Sequence, residues 1–292
     1  MKVLFVINPR SGKGIGPDIE ALIRKQAEGD GFDYQIHTLG LAPDEEVQKK
    51  ITNYQPNIVM AAGGDGTLSF LANLLANTHI ALAVIPLGSA NGMARELGIS
   101  QRPDFALSLL KKGIQKPIDL LQINQKSCLH LADVGLNARI VKRFEQDTRR
   151  GIWTYARHLF DEIFLMKTYT FLISCDEKMF KRKAVSLTFA NASQYGTGAV
   201  INPHGQIDDG KFELVILKPF PKIELFSIAW KMFRHNLHTS DYVEVFSCSK
   251  AHVICSRKTT LQIDGEIIGK VKEFEIGIMP QSLNMLIPPE SK

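Results

Sequence analysis

The sequence lacks the features that would place it in a membrane or in an oxidising compartment. No apolar run approaches the roughly 18–20 residues that a membrane-spanning helix needs. The apolar stretch after Lys2 is too short for the hydrophobic region of a signal peptide, and no small-residue cleavage site follows it. The four cysteines, Cys128, Cys175, Cys248 and Cys255, lack the spacing of metal ligands, and we expect them to be reduced. These absences favour a cytoplasmic protein.

Histidine pairs and concentrated charge are also missing. None of the eight histidines stands in an H-x-x-x-H pair, which argues against a histidine zinc site. The net charge of +5 is modest and the basic residues are spread along the chain. Nothing in the composition therefore requires a nucleic acid partner, whereas anionic ligands or an anionic membrane surface would suit this charge. A length of 292 residues is enough for two domains.

The first part of the chain alternates predicted strands with predicted helices. The strands are predicted at 3–7, 34–39, 57–62, 80–85 and 118–123. The helices are predicted at 18–27, 43–54 and 68–76, with shorter helical segments near 93–97 and 103–111. This order predicts a parallel sheet with helices on both faces, in a first domain over residues 1–122.

The second part of the chain is dominated by short β-rich runs. Strands are predicted at 170–175, 184–190, 212–217, 243–246, 252–256, 260–263 and 273–278. Helices are predicted at 138–147, 153–166 and 222–235. Many short strands separated by turn residues predict an antiparallel sandwich or barrel, in a second domain over residues 123–279. The last apolar run lies within 280–292, a segment that we expect to pack back on the first domain.

A glycine-rich loop follows the apolar strand that ends at Ala62. Gly63, Gly64 and Gly66 leave the backbone bare, Asp65 adds one carboxylate, and Thr67 adds a hydroxyl where the next helix would start. Ligands of open α/β sheets bind at the carboxyl ends of the strands, and exposed N–H groups beside a helix N-terminus suit phosphate. The alternative is a glycine-rich turn with a helix-capping aspartate.

Two further polar loops follow predicted buried strands, at 8–14 and at 86–91. The first, Asn8-Pro9-Arg10-Ser11-Gly12-Lys13-Gly14, fits neither the Walker A pattern nor G-x-G-x-x-G, but it offers N–H groups, a hydroxyl and cations to a polyphosphate. A solvated basic turn is the alternative. If the sheet is parallel, all three loops converge on one crevice.

Two acidic turns lie in the β-rich half. The sequence Asp208-Asp209-Gly210 is typical of a hairpin loop, and its alternative is a cation site that uses Asp209 with nearby carbonyls. The turn Asp264-Gly265-Glu266 places two carboxylates together, either of which could act as a general base towards a hydroxyl.

Two apolar stripes at helical spacing complete the pattern. One runs from Trp153 to Phe164 beside several basic residues, and the other consists of Phe220, Ile223, Phe226, Trp230 and Phe233. Both are interpreted as core-facing stripes. For the first, a basic and apolar helix lying on an anionic membrane is the alternative.

Five motifs together resemble the diacylglycerol kinase catalytic family, which includes bacterial lipid kinases, sphingosine kinases and ceramide kinases. In chain order they lie at 8–14, 63–67, 86–91, 208–210 and 264–266. The Gly-Gly-Asp-Gly-Thr segment alone is shared with NAD kinases and phosphofructokinases. The resemblance implies an NAD-kinase-like nucleotide-binding α/β domain and a C-terminal antiparallel β-sandwich, with the active site in the cleft between them.

The resemblance also implies roles for particular residues. The ATP contacts would be Asn8, Ser11, Gly12, Thr38, Gly63, Gly64, Asp65, Gly66, Thr67 and Ser89. Asp65 would act near the phosphates, through Mg²⁺ or by orienting the acceptor, and Glu266 would take the proton of the lipid hydroxyl. A structural Mg²⁺ would bind the Asp209 side chain and the backbone carbonyls of Gln206 and Lys211.

Two departures from the family pattern leave the acceptor open. Gly92 stands where many bacterial members have Asp, and Asn137 stands where Asp is frequent. The expected function is ATP- and Mg²⁺-dependent phosphorylation of a lipid such as diacylglycerol, at the inner face of the membrane and with peripheral, transient attachment. The alternatives are a sphingoid-base or other lipid-alcohol kinase, an NAD-kinase-like enzyme and a non-catalytic lipid- or nucleotide-binding regulator. A homodimer is left open.

Overall fold

A computed structural model of the chain describes residues 1–11, 19–40, 45–136, 138–139, 166–194, 200–203 and 205–289. The chain divides into two compact units. The first comprises Met1–Ile118 together with the segment from Gln281 onward, and the second comprises Asp119–Pro280.

The first unit contains a parallel sheet. Its strands are β1 (Lys2–Ile7), β2 (Asp33–Thr38), β3 (Ile58–Gly63) and β4 (Ala81–Pro86), and its helices are α1 (Ile19–Asp30), α2 (Glu45–Tyr54), α3 (Asp65–Leu75), α4 (Gly92–Glu96) and α5 (Pro103–Lys112). β3 pairs in parallel with β1 and β4, and β1 also pairs in parallel with β2. β3 and β4 are buried along their whole lengths, as expected of strands covered on both faces.

The end of the chain contributes a further strand to the first unit. The last residues of β14 (Glu266–Ile287) pair in parallel with β4, with Asn284 opposite Ala81. The Asn77 backbone N–H donates to the Ser282 carbonyl at 2.6 Å. The sheet order from this strand is therefore β14, β4, β3, β1 and β2.

The second unit is an antiparallel β-sandwich. Its strands are β5 (Ile114–Ile123, which begins in the first unit), β6 (Lys126–Cys128), β7 (Leu131–Gly135), β8 (Tyr169–Cys175), β9 (Lys178–Ala184), β10 (Ser186–Ala190), β11 (Phe212–Leu217), β12 (Val243–Cys248), β13 (Lys250–Ile263) and β14. One helix, α6 (Glu224–Phe233), lies between β11 and β12. The two-domain α/β and β-sandwich fold class is thus confirmed.

β13 joins the two layers of the sandwich. Its first half pairs with β8, its last residues pair with β7, and a register shift separates the halves between Ile254 and Thr259. Phe171 on β8 and Phe189 on β10 belong to the same buried core, and Phe189 meets Phe274 edge to face at 5.6 Å between ring centroids. A bulge of this kind lets one long strand serve both sheets.

Several sequence predictions need correction here. β7 and β9 were not predicted, because buried Asp133 interrupts the apolar run of the first and lysines fill the second. β13 and β14 each span what the sequence divides into two runs. The predicted helices at 138–147 and 153–166 lie almost entirely outside the described residues, as does the apolar stripe from Trp153 to Phe164.

The expectation of four reduced cysteines is wrong for two of them. Cys175 and Cys248, at the ends of β8 and β12, form a disulfide with their Cα atoms 5.8 Å apart. Cys128 and Cys255 are free and buried, and burial raises the pKa of Cys255 to about 12. The sequence separation of 73 residues between the bridged cysteines hides their proximity. This proximity follows from the pairing of β8 with β13, in which Cys175 lies opposite Ala251, just after Cys248.

Candidate functional site

The loop after β1 contacts the loop after β3 through side chains. The Asn8 Nδ2 donates to the Thr67 Oγ1 at 3.0 Å, and the Asn8 backbone N–H donates to the Ala62 carbonyl at 2.9 Å. Thr67 is buried in the first turn of α3. A Cβ on Gly63 would lie 2.4 Å from the Thr67 Oγ1, so only glycine leaves room for this hydroxyl. Asn8 and Thr67 therefore fix the spacing of the two loops.

The loop after β3 contacts the loop after β4 through bare backbone. A Cβ on Gly88 would lie 2.6 Å from the Gly64 Cα and 2.7 Å from the Asn91 Oδ1. Asn91, at a φ of 51°, closes its own loop, since its Oδ1 accepts from the Gly88 N–H at 2.8 Å and its Nδ2 donates to the Gly88 carbonyl at 2.9 Å. The same Nδ2 donates to the Gln101 Oε1 at 2.7 Å. The two glycines thus let adjacent strand ends approach to backbone contact.

Asp65 binds the start of a neighbouring helix. Its Oδ2 accepts from the Gly92 N–H at 3.0 Å and its Oδ1 accepts from the Met93 N–H at 3.1 Å, both in the first turn of α4. Gly64, the residue before α3, has no side chain with which to cap that helix. Asp65 does cap a helix, as the alternative interpretation predicts. The capped helix is α4, which follows the loop after β4, and not α3. Each carboxylate oxygen retains a lone-pair direction for a further partner.

The predicted nucleotide residues of the described chain lie at one edge of the first sheet. Asn8 and Ser89 follow β1 and β4, and Thr38 ends β2. Gly63 ends β3, and residues 64–67 follow it. The Arg10 Nη2 donates to the Gly40 carbonyl at 3.0 Å, which ties the loop after β1 to the end of β2. Ser11 lies in the loop after β1, with its N–H donating to the Asn8 carbonyl at 3.1 Å. Gly12 lies outside the described residues.

This edge has the chemistry of a phosphate site. The first-turn N–H groups of a helix have no intrahelical partner, and the helix dipole favours an anion there. α3 presents such N–H groups at Asp65 and Gly66. Gly66 is exposed, and a Cβ on it would meet nothing within 4 Å, so the backbone here is open to a ligand. A polyphosphate would meet N–H groups, hydroxyls and Arg10 from several loops at once.

Glu266 stands at the end of a tight hairpin in the second unit. Ile263 pairs with Glu266, and the two residues between them, Asp264 and Gly265, have φ angles of 49° and 87°. Positive φ at both positions is the geometry of a type I′ turn, which Asp-Gly favours. The Glu266 side chain is exposed. This segment is therefore a hairpin turn that also presents a carboxylate to solvent.

Asp264 anchors that hairpin to the backbone at the start of β7. Its carboxylate accepts from the N–H groups of Leu129 at 2.8 Å, His130 at 2.8 Å and Leu131 at 3.2 Å. It also accepts from the Cys128 thiol at 3.2 Å. Burial, and after it the Asp264 charge, raises the pKa of Cys128 well above its ordinary value, which keeps the thiol protonated as a donor. Asp264 is thus a clamp, and Glu266 is the carboxylate of the pair that faces solvent.

A buried network continues from this clamp to the other acidic turn. The Asn191 Nδ2 donates to the Leu129 carbonyl at 2.9 Å and to the Asp119 carbonyl at 2.8 Å. The Asp119 carboxylate, which is fully buried, accepts from the Gly210 N–H at 2.7 Å. The turn at 208–210 and the turn at 264–266 are therefore joined through hydrogen bonds within the second unit.

The predicted metal residues lie on the turn before β11. Gln206, Asp209 and Lys211 are exposed, and the Asp209 Oδ1 accepts from the Lys211 N–H at 3.0 Å. Within the described residues, no group of three or more His, Cys, Asp or Glu side chains is placed to hold a metal ion. The predicted Mg²⁺ site consists of one carboxylate and two backbone carbonyls, so it is not a group of that kind. It stays a prediction.

Glu213 adds a buried carboxyl group beside this turn. Its Oε2 accepts from the Asn202 Nδ2 at 2.6 Å, and both residues are buried. Burial, followed by the charge of Asp209, raises the pKa of Glu213 to about 7 from an ordinary value of 4.5.

The sequence reasoning missed the buried polar residues behind both turns. They are Asp119, Asp133, Asn191, Asn202, Glu213 and Gln262. Asp133 accepts from the Thr188 hydroxyl and from the Gln262 Nε2, and the Gln262 Oε1 accepts from the Gly265 N–H at 2.7 Å. A polar residue inside an otherwise apolar strand run, such as Asp119 in 118–123, is the signal that could have identified them, because a buried polar group needs a partner.

Two family models match the chain. The diacylglycerol kinase catalytic domain matches residues 2–123, and the YegS C-terminal NAD kinase beta sandwich-like domain matches residues 131–287. The diacylglycerol kinase of Bacillus subtilis (strain 168) is 25% identical over 292 residues, which cover 98% of this chain and 96% of that protein. A Synechocystis sp. protein is 28% identical over 243 residues, and the chain spans only 56% of its length. The crystal structure of a diacylglycerol kinase from Bacillus anthracis str. Sterne has the same fold, with a TM-score of 0.77 at 20% identity, covering 99% of this chain and 97% of that one.

Proposed function

The chain belongs to the diacylglycerol kinase catalytic family, and from this membership and the geometry above we propose that it is a phosphotransferase that uses MgATP to phosphorylate a lipid hydroxyl. Diacylglycerol is the acceptor that we propose. Phosphoryl transfer of this kind needs positioning and charge neutralisation more than covalent chemistry, which suits a site made of backbone loops and few acids.

The observation that carries the proposal is the interlocked set of loops at the carboxyl edge of the first sheet. Three contacts hold these loops in one arrangement. Asn8 donates to Thr67, Gly64 packs against Gly88, and Asp65 accepts from the first amides of α4. A preformed cradle of this type lowers the entropic cost of binding a flexible triphosphate. We propose that Ser11, Thr38 and Ser89, with the first turn of α3, contact the nucleotide.

Asp65 and Glu266 have different roles in the proposed reaction. Glu266, exposed and at the end of a rigid turn, takes the proton from the acceptor hydroxyl. The acceptor oxygen then bonds to the γ-phosphorus, the bond from the γ-phosphorus to its bridging oxygen breaks, and ADP leaves. Asp65 acts on the phosphate side, where its two remaining lone-pair directions can hold water or a cation. Mg²⁺ bound there would neutralise the charge of the phosphates.

We propose that the turn at 206–211 binds a second, structural Mg²⁺. Carboxylate and carbonyl oxygens are the ligands that Mg²⁺ prefers. The proposed ligands are the Asp209 carboxylate and the carbonyls of Gln206 and Lys211. The hydrogen bond from Gly210 to Asp119 would hold this turn in place for the ion.

Gly92 has a defined part in the site although it lacks the carboxylate common among bacterial members. Its N–H donates to Asp65, so the loop after β4 still orients the acid of the loop after β3. This arrangement supports a working kinase. Because this carboxylate is absent, acceptors other than diacylglycerol, including sphingoid bases, remain candidates. The test therefore uses several acceptors.

The test is transfer of labelled phosphate from ATP to a panel of acceptors. Mixed micelles would carry diacylglycerol, sphingosine or ceramide, and a separate reaction would contain NAD. We expect a labelled lipid product with the full chain and Mg²⁺, and none with NAD. Phosphorylated NAD without labelled lipid would favour the NAD-kinase-like alternative. ATP turnover with no acceptor phosphorylated, or no Mg²⁺-dependent ATP binding, would overturn the proposal.

Matched variants separate the two catalytic roles. Asp65→Asn and Glu266→Gln should each lower kcat by about 10²–10⁴, the range for loss of a general base or of a charge at the phosphates. Asp104→Asn, an exposed acid in the first turn of α5, and Glu275→Gln, an exposed acid on β14, should leave kcat unchanged. Unchanged turnover in either catalytic variant would remove the role assigned to that residue.

A further inference from the structure

α6 is attached to the second unit by one apolar face. Ile228 is buried, and Leu225 and Met232 pack beside it on the cluster that contains Phe220 and Leu237. These positions recur every three or four residues, which puts them on one side of the helix. A helix held in this way ordinarily presents a polar face to solvent.

The opposite face of α6 is also apolar. Just ahead of the helix, Ile223 is 76% exposed, and on it Phe226 is 64%, Trp230 66% and Phe233 54% exposed. Their spacing places them along a single stripe, on the side away from Ile228. The sequence interpretation of this stripe as core packing is therefore wrong for these four residues and correct for Phe220, which is buried. Contiguous exposed aromatic side chains of this kind mark an interaction site.

Basic side chains border this stripe. Exposed Lys222 and Arg234 lie just before and just after α6, and Glu224 is the single acid between them in the sequence. The Arg234 guanidinium lies 5.7 Å from the centre of the Trp230 ring, at the edge of the stripe. Exposed aromatics flanked by Lys and Arg are the pattern of elements that bind the interface of anionic bilayers. Across the described helices, none has the length and apolar character needed to cross a bilayer.

We propose that the outer face of α6 docks this chain onto anionic phospholipid bilayers. The proposal rests on the proposed function, since a lipid acceptor must be reached in the membrane that contains it. Phe226, Trp230 and Phe233 enter the boundary between headgroups and acyl chains, while Lys222 and Arg234 contact lipid phosphates. The charge of the basic residues favours an anionic lipid surface over an apolar protein groove as the occupant.

The fluorescence of Trp230 reports this docking directly. The chain has two tryptophans, so the Trp153→Phe variant emits from Trp230 alone. We expect its emission maximum to shift to the blue when vesicles of phosphatidylcholine and phosphatidylglycerol are added, and brominated acyl chains to quench it. Vesicles of phosphatidylcholine alone should give a much smaller change. An emission spectrum unchanged by the anionic vesicles would overturn the proposal.

Vesicle flotation of surface variants tests the stripe itself. The triple variant Ile223→Gln, Trp230→Gln, Phe233→Gln should bind anionic vesicles about tenfold or more weakly, because it loses three of the four exposed apolar side chains that docking would bury. Met179→Gln is the matched control, since Met179 is 70% exposed on β9 of the same unit. Circular dichroism and thermal melts would establish that the triple variant is folded. Binding equal to that of the control would contradict the proposal.

Two measurements distinguish docking from its alternatives. On a short-chain diacylglycerol in monomeric solution, the triple variant should keep the activity of the unaltered chain, and on vesicles it should lose it. If the unaltered chain phosphorylates no lipid, the proposed function fails, yet the fluorescence and flotation results still decide whether α6 docks. Sedimentation velocity without lipid should show the same state for both proteins. An oligomer that the triple variant loses would overturn the proposal in favour of a second copy as the occupant.

Discussion

Asp65 and Asp264 both act by accepting hydrogen bonds from the backbone of a distant segment. Asp65 binds the amides at the start of α4, and Asp264 binds the amides of 129–131. In each case a carboxylate fixes one loop relative to another, so that a neighbouring group is held in place. For Asp264 that group is Glu266, two residues along a tight turn.

We expect Asp264→Ala to impair both stability and catalysis. It leaves the three N–H groups of 129–131, at the start of β7, without their acceptor, which should lower the free energy of unfolding by about 1–3 kcal/mol. It also releases the turn, so kcat should fall about tenfold or more while KM for ATP stays unchanged. Urea denaturation and steady-state kinetics would measure the two effects.

Asp176→Ala is the matched control for this prediction. Asp176 also sits at positive φ in a hairpin turn, and its carboxylate accepts from the N–H groups of Ser249 and Lys250. Its removal should cost some stability and leave kcat unaffected, because this turn follows β8 and does not contain Glu266. Equal loss of kcat in both variants would mean that Asp264 acts through general stability alone.

The raised pKa of Glu213 predicts a pH-dependent stability. Its folded pKa of about 7 lies above the ordinary 4.5, mainly because of burial and then because of Asp209. The folded state therefore holds a proton that the unfolded state loses. The resulting stability is fully present below about pH 4.5 and is lost as the pH rises through about 7.

Glu213→Gln should remove this dependence. Glutamine keeps an acceptor for the Asn202 amide and carries no charge. In buffer with a chelator, we expect the variant to be more stable than the unaltered chain at pH 8, by about 1–3 kcal/mol, and nearly equal to it at pH 5. Urea unfolding across this range would measure the difference, and parallel curves for the two proteins would refute the assignment.

The loops of the first unit use glycine for two separate reasons. At Gly88 a side chain would collide with the backbone of Gly64, so the requirement is internal to the fold. At Gly66 there is open space, so the fold alone does not require glycine. Gly88 is therefore required by the packing of the loops against each other, whereas Gly66 belongs to the surface that the loops present to a ligand.

Gly88→Ala and Gly66→Ala should have opposite effects on stability. The first should lower the free energy of unfolding by about 1–3 kcal/mol, because the loops after β3 and β4 must move apart. The second should raise it by up to about 1 kcal/mol, as replacement of a helical glycine does, while weakening ATP binding. Gly29→Ala in α1, which also meets open space, is the control for the gain in helix stability alone. Thermal melts and calorimetric titration with ATP would measure both effects, and an unchanged melt for Gly88→Ala would contradict the contact with Gly64.

The disulfide connects the ends of two strands of the second unit. Cys175 ends β8 and Cys248 ends β12, and 73 residues separate them in the sequence. A bridge across so long a segment restricts the unfolded chain more than the folded one. Its contribution therefore concerns the stability of this unit rather than the chemistry at Glu266.

Reduction should destabilise the unaltered protein and leave a bridge-free variant unaffected. We expect dithiothreitol to lower the free energy of unfolding by about 2–4 kcal/mol, and to have no effect on Cys175→Ser, Cys248→Ser. Thiol titration in denaturant without reductant should find the two free cysteines, Cys128 and Cys255. Four reactive thiols under those conditions would show that the bridge does not form.

The local features of this protein could be predicted from its sequence because each depends on a few neighbouring residues. The alternation of apolar strands with helices gives the parallel sheet, and the Asp264-Gly265 pair gives a tight hairpin. The motifs at 63–67 and 264–266 were enough to indicate the family, and the comparisons confirm it. The residue roles derived from that resemblance stay predictions.

The partners of the acids and the exposure of α6 were decided by the tertiary structure. Asp264 binds amides more than 130 positions away, and Asp65 binds amides 27 and 28 positions away, distances at which no periodic pattern operates. α6 has apolar residues on both faces. Helical spacing therefore identifies two apolar stripes in the sequence but does not indicate which of them faces the core. Periodicity and turn chemistry are local, whereas burial and long-range hydrogen bonds exist only once the strands have been assembled.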